Sequence, residues 1–179
     1  WRRTRVPSTE PGAAMAATSV LFVCTGNICR SPTADGVFRH MVRAAGHSGT
    51  IQVDSAGTHD YHVGAAPDAR AQAHALRRGY DLSGLRARQV TADDFYAFDL
   101  ILAMDRGHLR FLRGLAPEGY AGLRLFTAYA NHASDGETSP EADVPDPYYG
   151  GSDGFERVLD MIELVAAGLL RTLVANGRD

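Results

Sequence analysis

The chain has 179 residues, 45% of them hydrophobic and 22% charged, with a formal net charge of −3. This is the make-up of one globular domain that buries roughly 70% of its unfolded surface without disulfide staples or a structural metal, which excludes extended, fibrous and disordered classes. All 18 basic residues are arginine and are scattered along the chain, so nothing marks a nucleic-acid or membrane footprint, and no run of about 18 apolar residues offers a membrane-spanning helix.

Residues 1–18 carry Arg2, Arg3, Arg5 and two prolines but no apolar stretch of signal-peptide length, and read as a disordered leader with Met15 inside it. Residues 19–23 are an apolar run ending at Cys24 and read as a strand, followed by a polar, glycine-containing loop over 25–30. Ser31 and Pro32 offer an N-cap and a first-turn proline, and Ala34, Val37, Phe38, Met41, Val42 and Ala45 recur at helical spacing, so a helix is predicted over 32–45 with Gly46 as its stop. A strand at 51–55, a loop through Gly57 and Gly64, and a helix over 67–78 closed by Gly79 come next. Residues 100–104 are a wholly apolar strand, 106–113 a helix and 123–126 a fourth strand. Residues 127–152 form a loop too long to be an idle connection. From residue 152, Phe155, Val158, Leu159, Ile162, Val165, Leu169 and Leu173 trace one face of a long helix.

Alternating strands and helices with fully apolar strands predict a single α/β domain whose parallel sheet is covered on both faces. Its ligand site belongs at strand carboxyl ends near a topological switch point, and Cys24 stands at such an end. The two cysteines, Cys24 and Cys29, are too few and too close for a secreted disulfide framework and point to a reducing cytoplasm.

Cys24 and Arg30 bracket a loop in which Gly26 permits a tight turn and Asn27 tolerates a left-handed backbone, so successive N–H groups of Thr25 to Cys29 can face one anion. The helix start at Ser31 adds its positive end, and the Arg30 guanidinium supplies a bidentate donor for a phosphate. That positive field favours a thiolate on Cys24, with the Ser31 hydroxyl as its donor. A nucleotide-triphosphatase loop is excluded because it needs a lysine and the chain has none. A thiolate that expels a phenoxide from a phosphate ester needs a general acid. Asp146, stiffened by Pro145 and Pro147 and followed by Tyr148 and Tyr149, is the candidate.

Val23-Cys24-Thr25-Gly26-Asn27-Ile28-Cys29-Arg30-Ser31-Pro32 and Asp146-Pro147-Tyr148-Tyr149-Gly150 resemble the phosphate-binding loop and general-acid loop of the low-molecular-weight protein tyrosine phosphatases. Asp54-Ser55-Ala56-Gly57, His62-Val63-Gly64 and Pro67-Asp68-Ala69-Arg70 resemble further segments of that family, so the likeness spans residues 19–179. It implies a four-stranded parallel sheet flanked by helices, of flavodoxin-like type. It also implies cofactor-free hydrolysis of phosphotyrosine in proteins through a phosphocysteine on Cys24, with Asp146 as acid and then base. By motif position Arg30 clamps the phosphate, Thr25, Gly26, Asn27, Ile28, Cys29 and Ser31 line the substrate, Ser55 supports the loop, and Tyr61, Tyr148 and Tyr149 wall the cleft.

The resemblance is imperfect at two places. Tyr61 stands where many relatives carry tryptophan, which keeps an aromatic wall but shifts peptide preference. Arg78 stands where mammalian relatives carry a histidine that supports the loop asparagine, and leaves that support unassigned. Three rival readings use the same loop. Arsenate reductases of this fold need further downstream cysteines; arginine phosphatases favour a threonine in place of Ile28; a silent phosphotyrosine-binding module would lack the nucleophile or acid. Cys29 reads equally as a redox partner for Cys24 or as packing. His59 and His62 read as a solvated loop pair rather than metal ligands, and Arg70, Arg77, Arg78, Arg86 and Arg88 as a basic region without an assigned role. A monomer or weak homodimer is expected, from a GC-rich bacterial genome.

Overall fold

The computed structural model describes residues 17–132, 143–149 and 151–177. The strands are β1 (Thr18–Cys24), β2 (Ile51–Gly57), β3 (Leu100–Ala103) and β4 (Leu123–Leu125). The helices are α1 (Arg30–Ala44), α2 (Ala69–Arg77), α3 (Asp94–Ala97), α4 (Arg106–Leu115) and α5 (Ser152–Asn176). All strand pairs are parallel, in the order β2-β1-β3-β4. The expected α/β domain with a four-stranded parallel sheet is therefore the observed one. Thr18 already belongs to β1; residues 1–16 of the expected leader lie outside the described residues.

Alternation along β1 explains why its apolar run is continuous. Val20, Phe22 and Cys24 face the layer of α1 and α5, while Leu21 and Val23 face that of α3 and α4. Phe22 is fully buried and meets Phe38 of α1 and Phe126 edge-on, at centroid distances of 5.7 and 5.2 Å. Such pairs contribute about 0.5–1.5 kcal/mol each beyond the burial of their area. The chain leaves β1 toward β2 on one side and reaches β3 on the other. The carboxyl end of β1, with Cys24, is thus the switch point at which open α/β sheets bind ligands.

Several boundaries differ from the expectation. Helix α1 begins at Arg30, with Cys29 rather than Ser31 in the capping position, because the Ser31 hydroxyl is engaged toward Cys24. Helix α2 starts after Asp68, whose carboxylate accepts the Arg70 N–H, so Pro67 stays outside it. The fourth strand ends at Leu125, and Phe126–His132 form a 3-10 helix where a loop was predicted. The short α3 has no periodicity long enough to announce it. Gly46 and Gly79 do close α1 and α2, at φ 78° and 88°, a region open to glycine.

Candidate active site

The loop after β1 is held from behind by a polar lattice. Asn27 has φ 55°, alone in positive φ among the described non-glycine residues, and this turns the loop back on itself. Its amide donates to Ser31 Oγ at 2.9 Å and Ser55 Oγ at 3.0 Å, and its carbonyl oxygen accepts the Arg88 N–H at 3.0 Å. Ser31 Oγ lies 3.0 Å from Cys24 Sγ and 3.2 Å from the Ala56 carbonyl oxygen, so its single proton can serve either. The strand behind must be bare: a Cβ on Gly57 would fall 2.7 Å from the Thr25 carbonyl oxygen. Asn27 and Ser31, expected among residues lining the substrate, instead point behind the loop, and their work is to shape it and to meet the thiol.

Cys24 lies at the floor of a cavity of about 250 Å³. Thr25, Gly26, Ile28, Cys29, Arg30, Tyr61, Asp146, Tyr148 and Tyr149 line it, as the sequence predicted, together with His62. Arg30 is buried and holds three acceptors. Its Nη1 donates to Asp105 Oδ2 at 2.9 Å and to the Val144 carbonyl at 3.2 Å, and its Nη2 donates to Asp146 Oδ2 at 3.0 Å. Asp146 also accepts the Tyr148 N–H at 3.0 Å on its other oxygen. Its arm is rooted by buried Val144, whose N–H donates to the Met104 carbonyl at the end of β3. Asp146 and the cysteine loop, more than a hundred residues apart in sequence, are thus joined through one guanidinium.

Sequence reasoning missed Asp105 and His108. Asp105 caps α4 through the His108 N–H and holds Arg30. Burial works against its charge, but the His108 N–H and the Arg30 cation prevail and hold the carboxyl below its ordinary value. Burial drives the His108 imidazole down to about 4, with Asp105 opposing, so the ring is neutral near pH 7. Its Nε2 lies 2.7 Å from Thr25 Oγ1, while Nδ1 sits 3.1 Å from Asp105 Oδ1 but off the line of a hydrogen bond. Thr25 therefore spends its hydroxyl on His108. The available signal was position, since Asp105 directly follows the carboxyl end of an apolar strand and opens a helix.

The arginines divide into separate tasks. Arg70 pairs with Asp68, donates to the Tyr148 carbonyl and lies over the Tyr148 and Phe155 rings at 5.4 and 4.9 Å, bracing the acid arm. Arg88 pairs with Asp54 and Asp94 while its N–H supports Asn27. Arg78, expected where a loop-supporting histidine would stand, is instead paired with Glu156, Asp160 and Glu163 of α5. Asn27 is supported by Ser31, Ser55 and Arg88. Cys29 packs with Ala71, Phe155 and Ile28, and burial, then the neighbouring Asp68 charge, pushes its thiol up to about 12. His59 and His62 separate: His59 stacks on Tyr61, and His62 lies over Gly26. Among the described residues no group of three His, Cys, Asp or Glu side chains is placed to hold a metal, and no helix is long and apolar enough to cross a membrane.

Known proteins share this fold. The family model described as low molecular weight phosphotyrosine protein phosphatase matches residues 19–179. A low molecular weight protein-tyrosine-phosphatase of Streptomyces coelicolor is 48% identical over 153 residues, covering 84% of this chain and 90% of that protein. The solved protein tyrosine phosphatase of Entamoeba histolytica superposes with a TM-score of 0.81 at 35% identity, over 89% of this chain and 99% of that one. A Drosophila arginine phosphatase has the same fold at 32% identity and a TM-score of 0.76, over 86% and 96% of the two chains. With the thiol at the switch point, the guanidinium beside it and an aspartate on a rigid arm above, this chain belongs to the low molecular weight phosphotyrosine protein phosphatases.

Proposed function

We propose that this protein tyrosine phosphatase works by two displacements at phosphorus, with Cys24 as nucleophile and Asp146 as the proton carrier. The observation that carries this reading is the placement of Cys24 Sγ 3.0 Å from the Ser31 hydroxyl on the cavity floor, with Asp146 held across the mouth by Arg30. The main-chain N–H groups of residues 25–30 and the amino end of α1 cradle the phosphate, and Arg30 exchanges its Asp146 partner for two phosphate oxygens. That exchange frees the Asp146 carboxyl to face the leaving oxygen.

In the first step the Cys24 thiolate forms an S–P bond while the P–O(aryl) bond breaks, and the departing phenolate oxygen takes the Asp146 proton. In the second, the Asp146 carboxylate takes a proton from water as the water oxygen attacks phosphorus, and the S–P electron pair returns to Cys24. Ser31 then turns its hydroxyl from the Ala56 carbonyl to the sulfur, which eases that departure. Asp105 holds Arg30, and His108 and Thr25 brace Asp105. The substrate ring lies between Tyr61 and Tyr148, with Tyr149 as an outer wall. Ile28 and these rings favour an aryl phosphate over phosphoarginine, whose leaving group is a charged planar guanidine. The proteins acted on carry phosphotyrosine, the compartment is a reducing bacterial cytoplasm, and the chain acts as a monomer or weak homodimer.

Hydrolysis of p-nitrophenyl phosphate in excess EDTA, beside phosphotyrosine, phosphoserine and phosphoarginine peptides, tests this directly. Preference for phosphotyrosine, no turnover by Cys24→Ser and a loss on the order of 10²-fold or more in Asp146→Ala are expected. Faster hydrolysis of phosphoarginine would overturn the substrate assignment.

A further inference from the structure

Beyond the slot for the phosphotyrosine ring, one rim of the cavity continues into an aromatic shelf. Tyr61, which lines the cavity, stacks on His59 at 4.8 Å between centroids and 18° between planes. His59 in turn meets Phe111 of α4 at 5.8 Å and 36°. Single exposed aromatic rings are ordinary, but three in contact and open to solvent form a surface, with Tyr61 68% and Phe111 42% exposed.

The shelf is fixed to the catalytic loop. The His59 N–H donates to the Thr25 carbonyl at 3.0 Å, the Thr58 N–H to the Cys24 carbonyl at 2.8 Å, and Thr58 Oγ1 meets His59 Nδ1 at 2.8 Å. Phe111 rides on α4, whose first residues are tied to Arg30 through Asp105. A surface so held loses little conformational entropy when covered. Its position relative to Cys24 is thereby fixed.

We propose that the His59–Tyr61–Phe111 shelf is a specificity subsite that receives an aromatic or large aliphatic side chain next to the phosphotyrosine of the substrate protein. The inference rests on the phosphatase reading above. Consecutive Cα atoms lie 3.8 Å apart and alternate side chains of an extended segment point to opposite faces, so a phosphotyrosine in the slot brings its neighbours onto the rim. Elsewhere the cavity is lined by Asp146 and Tyr148, with Arg70 over the Tyr148 ring, and these offer charge and hydrogen bonds as well as rings. The Phe111 rim offers ring faces and edges, which match an apolar ring.

The test is a set of phosphotyrosine peptides with Phe, Leu, Ala or Asp at each of the two positions on either side, assayed with wild type, Phe111→Ala and Phe111→Tyr. The expected result is a kcat/KM roughly 3- to 10-fold higher for Phe or Leu than for Asp at one flanking position. That preference should shrink below about 2-fold in Phe111→Ala and persist in Phe111→Tyr, with p-nitrophenyl phosphate turnover equal in all three. Full p-nitrophenyl phosphate turnover with no flanking preference, or a preference that survives Phe111→Ala, overturns the subsite. A concentration-dependent dimer in sedimentation that Phe111→Ala abolishes assigns the shelf to a second copy of the chain and overturns it as well. No turnover of any phosphate ester would instead remove the phosphatase reading beneath it.

Discussion

The two halves of the active site are built differently. In the Cys24–Ser31 loop Cys24, Asn27, Arg30 and Ser31 are buried, the asparagine is fixed by three hydrogen bonds, and a Cβ on the strand behind would strike the loop backbone. The acid arm is rooted by Val144 but open beyond it: the Asp146 side chain is 44% exposed, and Tyr149, edge-on to Tyr148, is 92% exposed. The difference teaches that the nucleophile is positioned by the fold itself, whereas the acid is positioned by a few polar contacts that substrate can replace. Arg30 belongs to both halves through Asp105 and Asp146, and in the proposed mechanism its change of partner couples phosphate binding to release of the acid.

Variants separate the halves, and the largest effect falls on the buried one. Cys24→Ser should lose at least about 10⁴-fold in turnover with no fall in melting temperature, read by p-nitrophenyl phosphate hydrolysis and calorimetry. Asp146→Asn should lose about 10²- to 10⁴-fold in kcat while the melting temperature stays within a degree or two, because its pair with Arg30 is half exposed. Gly57→Ala should cost about 1–3 kcal/mol of stability and reduce kcat, since the backbone of the loop must move to admit the methyl group. Arg70→Ala should raise KM for phosphotyrosine peptides a few-fold and leave kcat nearly unchanged, because it braces Tyr148 rather than the reacting atoms.

The smallest effect concerns pH. Hydrogen bonds from His74, then Arg78 and Arg77, hold the Glu156 carboxyl down to about 2, against an ordinary value of 4.5. A carboxyl depressed on folding stabilises the fold above its unfolded value and loses that contribution as pH falls toward its folded value. Asp105 is shifted the same way. His108, held down to about 4 against an ordinary 6.5, acts with the same sign in a higher window. The melting temperature should therefore begin to fall below about pH 6.5, as the unfolded imidazole takes its proton, and fall further below about 4.5, where Glu156→Gln, lower at pH 7, should fall less steeply.

The cysteine loop was legible in the sequence because its parts are neighbours: the thiol, turn residues, guanidinium and helix start occupy eight consecutive positions. Asp146 was legible because two prolines single it out. Asp105, His108 and Arg88 were not, because each acts through a contact made across the sheet, with partners 75, 83 and 61 positions away. The strand pattern gave the layers and the parallel sheet, since a continuous apolar run has a single meaning in a sheet covered on both faces. The N-cap at Ser31 was misread for a physical reason: a serine before proline suits a helix start, but this hydroxyl has a thiol and the Ala56 carbonyl within reach. Arg78 was singled out by resemblance alone and given no role; its partners Glu156, Asp160 and Glu163 lie on α5, about 80 positions away.

The most direct measurement is the dependence of kcat/KM on leaving-group basicity over a series of aryl phosphates, for wild type and Asp146→Asn. With a proton delivered by Asp146, wild type should show a nearly flat dependence, and Asp146→Asn a steep one in which basic phenols leave slowest. Equal slopes for the two proteins would contradict the assignment of Asp146 as the acid, and with it the division of labour between a fixed nucleophile and an exchangeable arm.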